Sequence, residues 1–193
     1  SRLSATRLPG KPLLKINGTS MISHVFKKAE EANIGDVIVA TEDQEIVDDV
    51  KKNGGQVILT KKQHKTGTDR IYEALQKLDN TNIDLVMNLQ GDEPLMNIED
   101  IRDLKDLMIK NQSQLGTLAS EIKDNALYED QNIVKAITKE KLDGLNFPEA
   151  INFMRKVSKN SKNTYQHLGI YCYQKETLKN FVSFDQSVNE LRN

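Results

Sequence analysis

Tryptophan is missing from this chain of 193 residues, and cysteine occurs once, at Cys172. A single cysteine excludes an internal disulfide and suits a reducing cytoplasm. Its neighbours Gly169-Ile170-Tyr171 and Tyr173 read as a buried strand, so Cys172 reads as a packing residue rather than a nucleophile. An excess of charge of one sign is lacking too: 27 Lys and Arg stand against 28 Asp and Glu, a formal net charge of −1. That balance argues against a nucleic-acid-binding face or one held to anionic lipid. No apolar run approaches the ~20 residues of a membrane-spanning helix, and no signal-peptide pattern opens the chain. Neither G-x-x-x-x-G-K-[ST] nor G-x-G-x-x-G occurs, which excludes the common phosphate loop and the dinucleotide fingerprint. His24, His64 and His167 are too scattered to show metal-ligand spacing.

What is present describes one soluble domain, residues 1–193. Hydrophobic residues at 37% and charged residues at 28% are those of a globular chain long enough to bury a sizeable core. Residues 20–33 carry Met21, Ile22, Val25, Phe26 and Ala29 at helical spacing, and a short apolar run, Val37 to Ala40, follows as a strand. A helix over 44–52 is stopped by Gly54-Gly55, with a strand over 56–59. A loop over 60–68 leads to a helix with Ile71, Ala74, Leu75 and Leu78 on one face. Residues 84–89 form the best buried-strand candidate, and 98–110 an amphipathic helix. Further strands are expected at 117–120, 133–138 and 168–173, and a helix near 176–182. The Lys- and Asn-rich stretch 139–166 gives no clear pattern. The alternation predicts an α/β fold with a mainly parallel, mixed sheet flanked by helices. Ligands in such sheets sit beyond the carboxyl ends of the strands, which is where Asp92 falls.

Two stretches carry phosphate chemistry. The opening, Ser1 to Pro12, sets Arg2, Arg7 and Lys11 among small residues, with Gly10 and two prolines shaping an irregular backbone. Backbone N–H groups and cations on one short loop suit a polyphosphate, although on charge alone the segment reads equally as a solvated basic terminus. In Gln90-Gly91-Asp92-Glu93-Pro94, a carboxylate after a strand is what Mg²⁺ prefers. On composition, Asp92-Glu93 more commonly opens the next helix, with Pro94 in its first turn. Thr66-Gly67-Thr68-Asp69-Arg70 opens a helix, with Thr66 or Thr68 as its cap.

The segment Arg2 to Lys11 resembles the signature loop of the sugar-acid cytidylyltransferases, in particular those acting on 3-deoxy-manno-octulosonate (KDO). The likeness continues in order through Ile16-Asn17-Gly18, Met21-Ile22, His24-Val25, Val39-Ala40-Thr41, Thr66 to Arg70, Gln90 to Pro94 and His167-Leu168-Gly169-Ile170-Tyr171. It implies a nucleotide-diphospho-sugar transferase-like fold and a Mg²⁺-dependent homodimer in the cytoplasm, using CTP to activate a sugar acid for lipopolysaccharide assembly. By resemblance, Arg2, Arg7, Lys11 and Asp92 are catalytic, with Asp92 the metal ligand. Thr66, Gly67 and Thr68 join Arg2, Arg7 and Lys11 in holding the nucleotide. Arg70, Gln90, His167 and Tyr171 face the sugar acid.

The match departs in places. The family's aromatic-Phe-Ser-Arg pattern is met only by Asn146-Phe147-Pro148-Glu149, then Met154-Arg155. A glutamate before Gln-Leu-Arg in the family is echoed only by Glu190-Leu191-Arg192. The resemblance also implies an apolar strand ahead of Ser1 and a second metal-binding aspartate beyond Asn193. An 8-amino-KDO or sialic acid enzyme and a nucleotide-binding protein without catalysis are the alternatives.

Overall fold

A computed structural model describes residues 1–4, 8–61, 64–78, 82–159 and 161–185. Arg7 and the segment Glu190-Leu191-Arg192 lie outside the described residues. After a short 3-10 turn at Lys11–Leu13, strands β1 (Lys15–Ile16) and β2 (Thr19–Ser20) form a tight hairpin. Its turn is Asn17-Gly18 at φ 49° and 83°, the pair of positive angles that favours Asn-Gly. Ser20 then caps α1 (Met21–Ala32), its side-chain oxygen accepting from the Ser23 N–H at 3.3 Å.

Strand β3 (Ile38–Thr41), helix α2 (Gln44–Lys52) and strand β4 (Gln56–Leu59) make one βαβ unit, with β3 and β4 parallel from Ile38↔Gln56 to Thr41↔Leu59. Helix α3 (Gly67–Lys77) precedes β5 (Leu85–Asn88), and α4 (Ile98–Lys110) precedes β6 (Leu115–Ser120). Then come β7 (Lys135–Thr138), β8 (Ala150–Met154), the long β9 (Thr164–Gln174) and α5 (Lys175–Ser183).

β9 organises the larger sheet. It pairs antiparallel with β5 at Tyr171–Gln174, with β6 from Gln166 to Tyr173, and with β7 at Thr164–Gln166. β8 extends that sheet beyond β7. The fold is thus mixed α/β as expected, but among the described residues parallel pairing is confined to β3 and β4. An apolar run such as 168–173 announces burial but not direction. The unclear stretch 139–166 contains β8, whose side chains are all exposed, so it shows no buried face.

Helix α4 packs Ile101, Leu104 and Met108 against Ile170 and Cys172 of β9. On the other side, Ile22 and Phe26 of α1 meet Val39 of β3 with Ile46 and Val50 of α2. A Cβ on Gly116 would lie 2.6 Å from Phe147 and 2.7 Å from Met108, so Phe147 packs onto the sheet only because Gly116 has no side chain. Between β3 and β5, each paired on one edge among the described residues, lies a cavity of about 1280 Å³ lined by Val37, Val39, Ile71, Val86, Leu89 and Met108. No helix among the described residues is long and apolar enough to cross a membrane.

Candidate active site

The opening loop is fastened at its base. The Leu3 N–H donates to Asp43 Oδ2 at the start of α2 at 2.7 Å, and the Gly10 N–H donates to Leu3 O at 3.0 Å. Gly10 adopts φ 74°, a left-handed angle that suits glycine and turns the chain into the 3-10 segment carrying Lys11. Lys11 Nζ reaches Asp92 Oδ2 at 2.7 Å, across 81 positions of sequence. The basic loop and the acidic turn thus meet at one point.

Asp92 lies in a turn after β5, where the Glu93 N–H donates to Gln90 O at 3.2 Å. The following helix begins only at Ile98, capped by Asn97, whose side chain accepts from the Glu99 N–H at 3.0 Å. Asp92-Glu93 therefore does not open that helix. Gly91 sits in a close approach, since a Cβ there would lie 3.0 Å from Ile22 Cδ1 and 3.1 Å from Ser1 Oγ. That close approach brings Ser1 against the turn that carries Asp92, with the next residue, Arg2, exposed. The Lys11 and Asp92 side chains retain 33% and 45% of their exposure, and such a half-open pair contributes only ~0–1 kcal/mol. Lys11 can therefore exchange the carboxylate for a phosphate oxygen, and Asp92 the ammonium for a cation, at little cost.

Beside this point, β9 carries an aromatic face. Gln90 lies across Gly169, where a Cβ would come within 3.3 Å of its Cγ. The His167 ring stands edge-on to Phe153 at 5.0 Å and tilted against Tyr171 at 5.3 Å. Tyr171 in turn stacks on Tyr173 at 6.1 Å. Burial holds His167 below its ordinary pKa and pushes both tyrosines up, so all three rings are neutral at pH 7. Thr68, at the start of α3, lies close enough to the Tyr173 hydroxyl to oppose the effect of burial on its titration, so the Thr66-Gly67-Thr68 turn is near the aromatic strand. Gln90-Gly91-Asp92 joins the two parts of the arrangement, the Gln90 side chain packed over Gly169 of β9 on one side and the charged pair on the other.

Residues 1–191 match the cytidylyltransferase family. The chain belongs to that family. It is 40% identical over 189 residues to a 3-deoxy-manno-octulosonate cytidylyltransferase of Nitrobacter winogradskyi, covering 97% of this chain and 74% of that protein. A protein of the same name from Paramagnetospirillum magneticum is 37% identical, covering 100% of this chain and 78% of its own. Among solved structures, that of CMP:2-keto-3-deoxy-manno-octonic acid synthetase complexed with CTP is similar, with a TM-score of 0.86 and 34% identity. It covers 100% of this chain and 78% of that one.

Not every residue expected in this cytidylyltransferase's site is free to act there. Thr66 accepts from the Asp69 N–H at 3.2 Å in a full capping box, so its hydroxyl serves the helix. Gly67 lines the cavity between β3 and β5. Arg70 is buried and turned onto Glu42, Nη2 to Oε2 at 2.9 Å, rather than presented to a substrate carboxylate. Cys172 is buried and its thiol is pushed up to about 11 by burial, which removes it as a nucleophile. Glu149 is exposed and paired with Lys139 at 3.7 Å. Three residues with supporting roles were not evident from the sequence: Asp43, which ties down the loop, Glu42, which neutralises Arg70, and Thr117, which contacts His167 at 2.9 Å. Thr41-Glu42-Asp43 at the mouth of β3 offered a positional signal, whereas Thr117 offered none.

Proposed function

We propose that this cytidylyltransferase transfers CMP from CTP to KDO, releasing pyrophosphate, and so activates the sugar acid for lipopolysaccharide biosynthesis. The observation that carries the reading is the meeting of Lys11 and Asp92 at 2.7 Å beside Gln90, His167 and Tyr171. It sets a triphosphate-binding loop next to a surface fit for a polyhydroxylated acceptor. The names of the relatives and of the CTP-bound structure supply the substrates.

In this reading a sugar hydroxyl attacks the α-phosphorus in line, forming a new P–O bond as the bond to the bridging oxygen of pyrophosphate breaks. The residues do little covalent work. Lys11, with Arg2 and Arg7, neutralises the triphosphate and holds it in place, which is where such transfers gain most of their rate. Gln90, His167 and Tyr171 orient the sugar acid. Mg²⁺ fits the donor set, because Asp92 offers hard oxygens at a strand mouth and phosphate oxygens commonly complete such a shell. Among the described residues no group of three His, Cys, Asp or Glu could hold the ion alone. When bound, the ion would stabilise charge on the triphosphate and on the departing pyrophosphate.

The proposal includes a homodimer in the cytoplasm. Supporting it, the edge strand β8 exposes Ile151 and Phe153 on one face and Met154 on the other, an apolar edge of the kind a second copy covers. It also includes an apolar strand running into Ser1, for which the cavity between β3 and β5 has suitable walls. The test of substrate is pyrophosphate release from CTP with KDO, 8-amino-KDO and sialic acids in parallel. KDO should be used with the highest kcat/KM. Preference for another acid would reassign the acceptor, and CTP binding without release under any of them would leave only a binding protein.

A further inference from the structure

The hydrogen bonds around Thr117 determine which ring nitrogen of His167 carries the proton. Thr117 stands where the β6–β9 register shifts, between Thr117 and Leu118. Its hydroxyl has three close partners: Ile170 O at 2.6 Å, Leu168 O at 3.2 Å and His167 Nε2 at 2.9 Å. A carbonyl oxygen only accepts, and a threonine hydroxyl has one hydrogen, so that hydrogen is directed to the carbonyls, Ile170 O being the nearer. The Thr117 oxygen can then only accept from the third partner. His167 must be the donor through Nε2–H, which leaves Nδ1 as a bare lone pair on a neutral ring. Among the described residues Nδ1 has no hydrogen-bond partner. Phe153 and Tyr171 both pack against the ring, at 5.0 Å and 5.3 Å between centroids.

We propose that Thr117 is a positioning residue for the acceptor: it locks His167 in the Nε2–H tautomer, so that Nδ1 selects a hydroxyl donor on the sugar acid and turns its carboxylate away. A lone pair attracts an O–H and repels a carboxylate oxygen, so the tautomer fixes which end of an acidic sugar lies at β9. The proposal rests on His167 facing the acceptor, as in the proposed function. It adds a residue some fifty positions away in sequence as the one that sets the polarity of that contact.

The experiment joins a spectroscopic and a kinetic measurement on the same protein. Two-bond ¹H–¹⁵N correlation spectra, with His167 assigned by its loss in His167→Ala, should show the Nε2–H tautomer in the wild type. In Thr117→Val it should become a mixture of tautomers. Thr117→Val should raise the KM for KDO about tenfold, the equivalent of one lost hydrogen bond, with the KM for CTP unchanged. Thr117→Ser, which keeps the hydroxyl, should restore both tautomer and KM. In the His167→Ala background Thr117→Val should add nothing further. An Nδ1–H tautomer in the wild type, an unchanged KM for KDO in Thr117→Val, or fully additive losses would each overturn the proposal. These failures are separable from failure of the functional reading: wild-type protein that releases no pyrophosphate with KDO overturns that reading and this proposal together.

Discussion

At the scale of the residue, the contact between Lys11 and Asp92 is a weak ion pair in an unusual place. A surface pair contributes little to stability, so its removal should be visible in activity rather than in folding. Lys11→Ala should cut kcat/KM for CTP by about 10–150-fold, the counterpart of ~1.5–3 kcal/mol for a charge-assisted contact. Its melting temperature should stay close to that of the wild type, and steady-state kinetics beside a thermal melt checks both. Gln90→Ala and His167→Ala should act on the other substrate, raising the KM for the sugar acid far more than that for CTP. An effect on CTP alone would show that the two pockets have been assigned the wrong way round. The residue types were visible in the sequence, but on composition the cations read equally as a solvated terminus and Asp92-Glu93 more commonly as a helix start, and only the resemblance turned both toward phosphate and metal. Their meeting was not legible. It accompanies Asp43 holding the loop and Ser1 packed close over Gly91, neither of which has a local pattern. Arg70, which the resemblance places at the sugar acid, is buried and paired through Nη2 with Glu42, a contact between α3 and the end of β3 that no local pattern announces.

At the scale of the element, helix α3 carries a small acid-sensitive device at Glu73, a largely covered carboxylate in its second half. Glu73 is held down to about 2 by the hydrogen bond from Lys77, with the Lys61 N–H and His64 adding to it against the opposing effect of burial. A folded-state pKa below the ordinary 4.5 gives stability that is fully present above about 4.5 and is lost as pH falls toward about 2. Glu73→Gln should therefore lower the melting temperature at pH 7 by about 2–4 °C, the shift for ~1 kcal/mol in a chain of this size. The gap between mutant and wild type should close as the pH is lowered through that window, and melting curves at a series of pH values test it. Elements with strong punctuation were read well: Gly54-Gly55 ends α2, and the apolar run of β4 follows directly. β8 was not read because a strand exposed along its whole length has no hydrophobic alternation to display. The direction of β9 was equally invisible, as three antiparallel pairings depend on residues far apart in the chain.

At the scale of the whole molecule, the cavity between β3 and β5 separates the parallel pair from the sheet built on β9. An apolar strand running into Ser1 and lying there would join the two into one sheet and pair the open edges of β3 and β5. Protein carrying such a strand should melt higher than this chain alone and exchange the amides of Ile38–Thr41 and Leu85–Asn88 more slowly. Unchanged exchange in both strands would place the segment elsewhere. The central claim is that CMP transfer to KDO takes place where the loop and the acidic turn meet. Its most direct test is KDO-dependent release of pyrophosphate from CTP, measured at saturating Mg²⁺ for wild-type protein and Asp92→Asn side by side. The account predicts release by the wild type that requires KDO, and almost none by Asp92→Asn at a nearly unchanged melting temperature. Equal rates in the two proteins would contradict it.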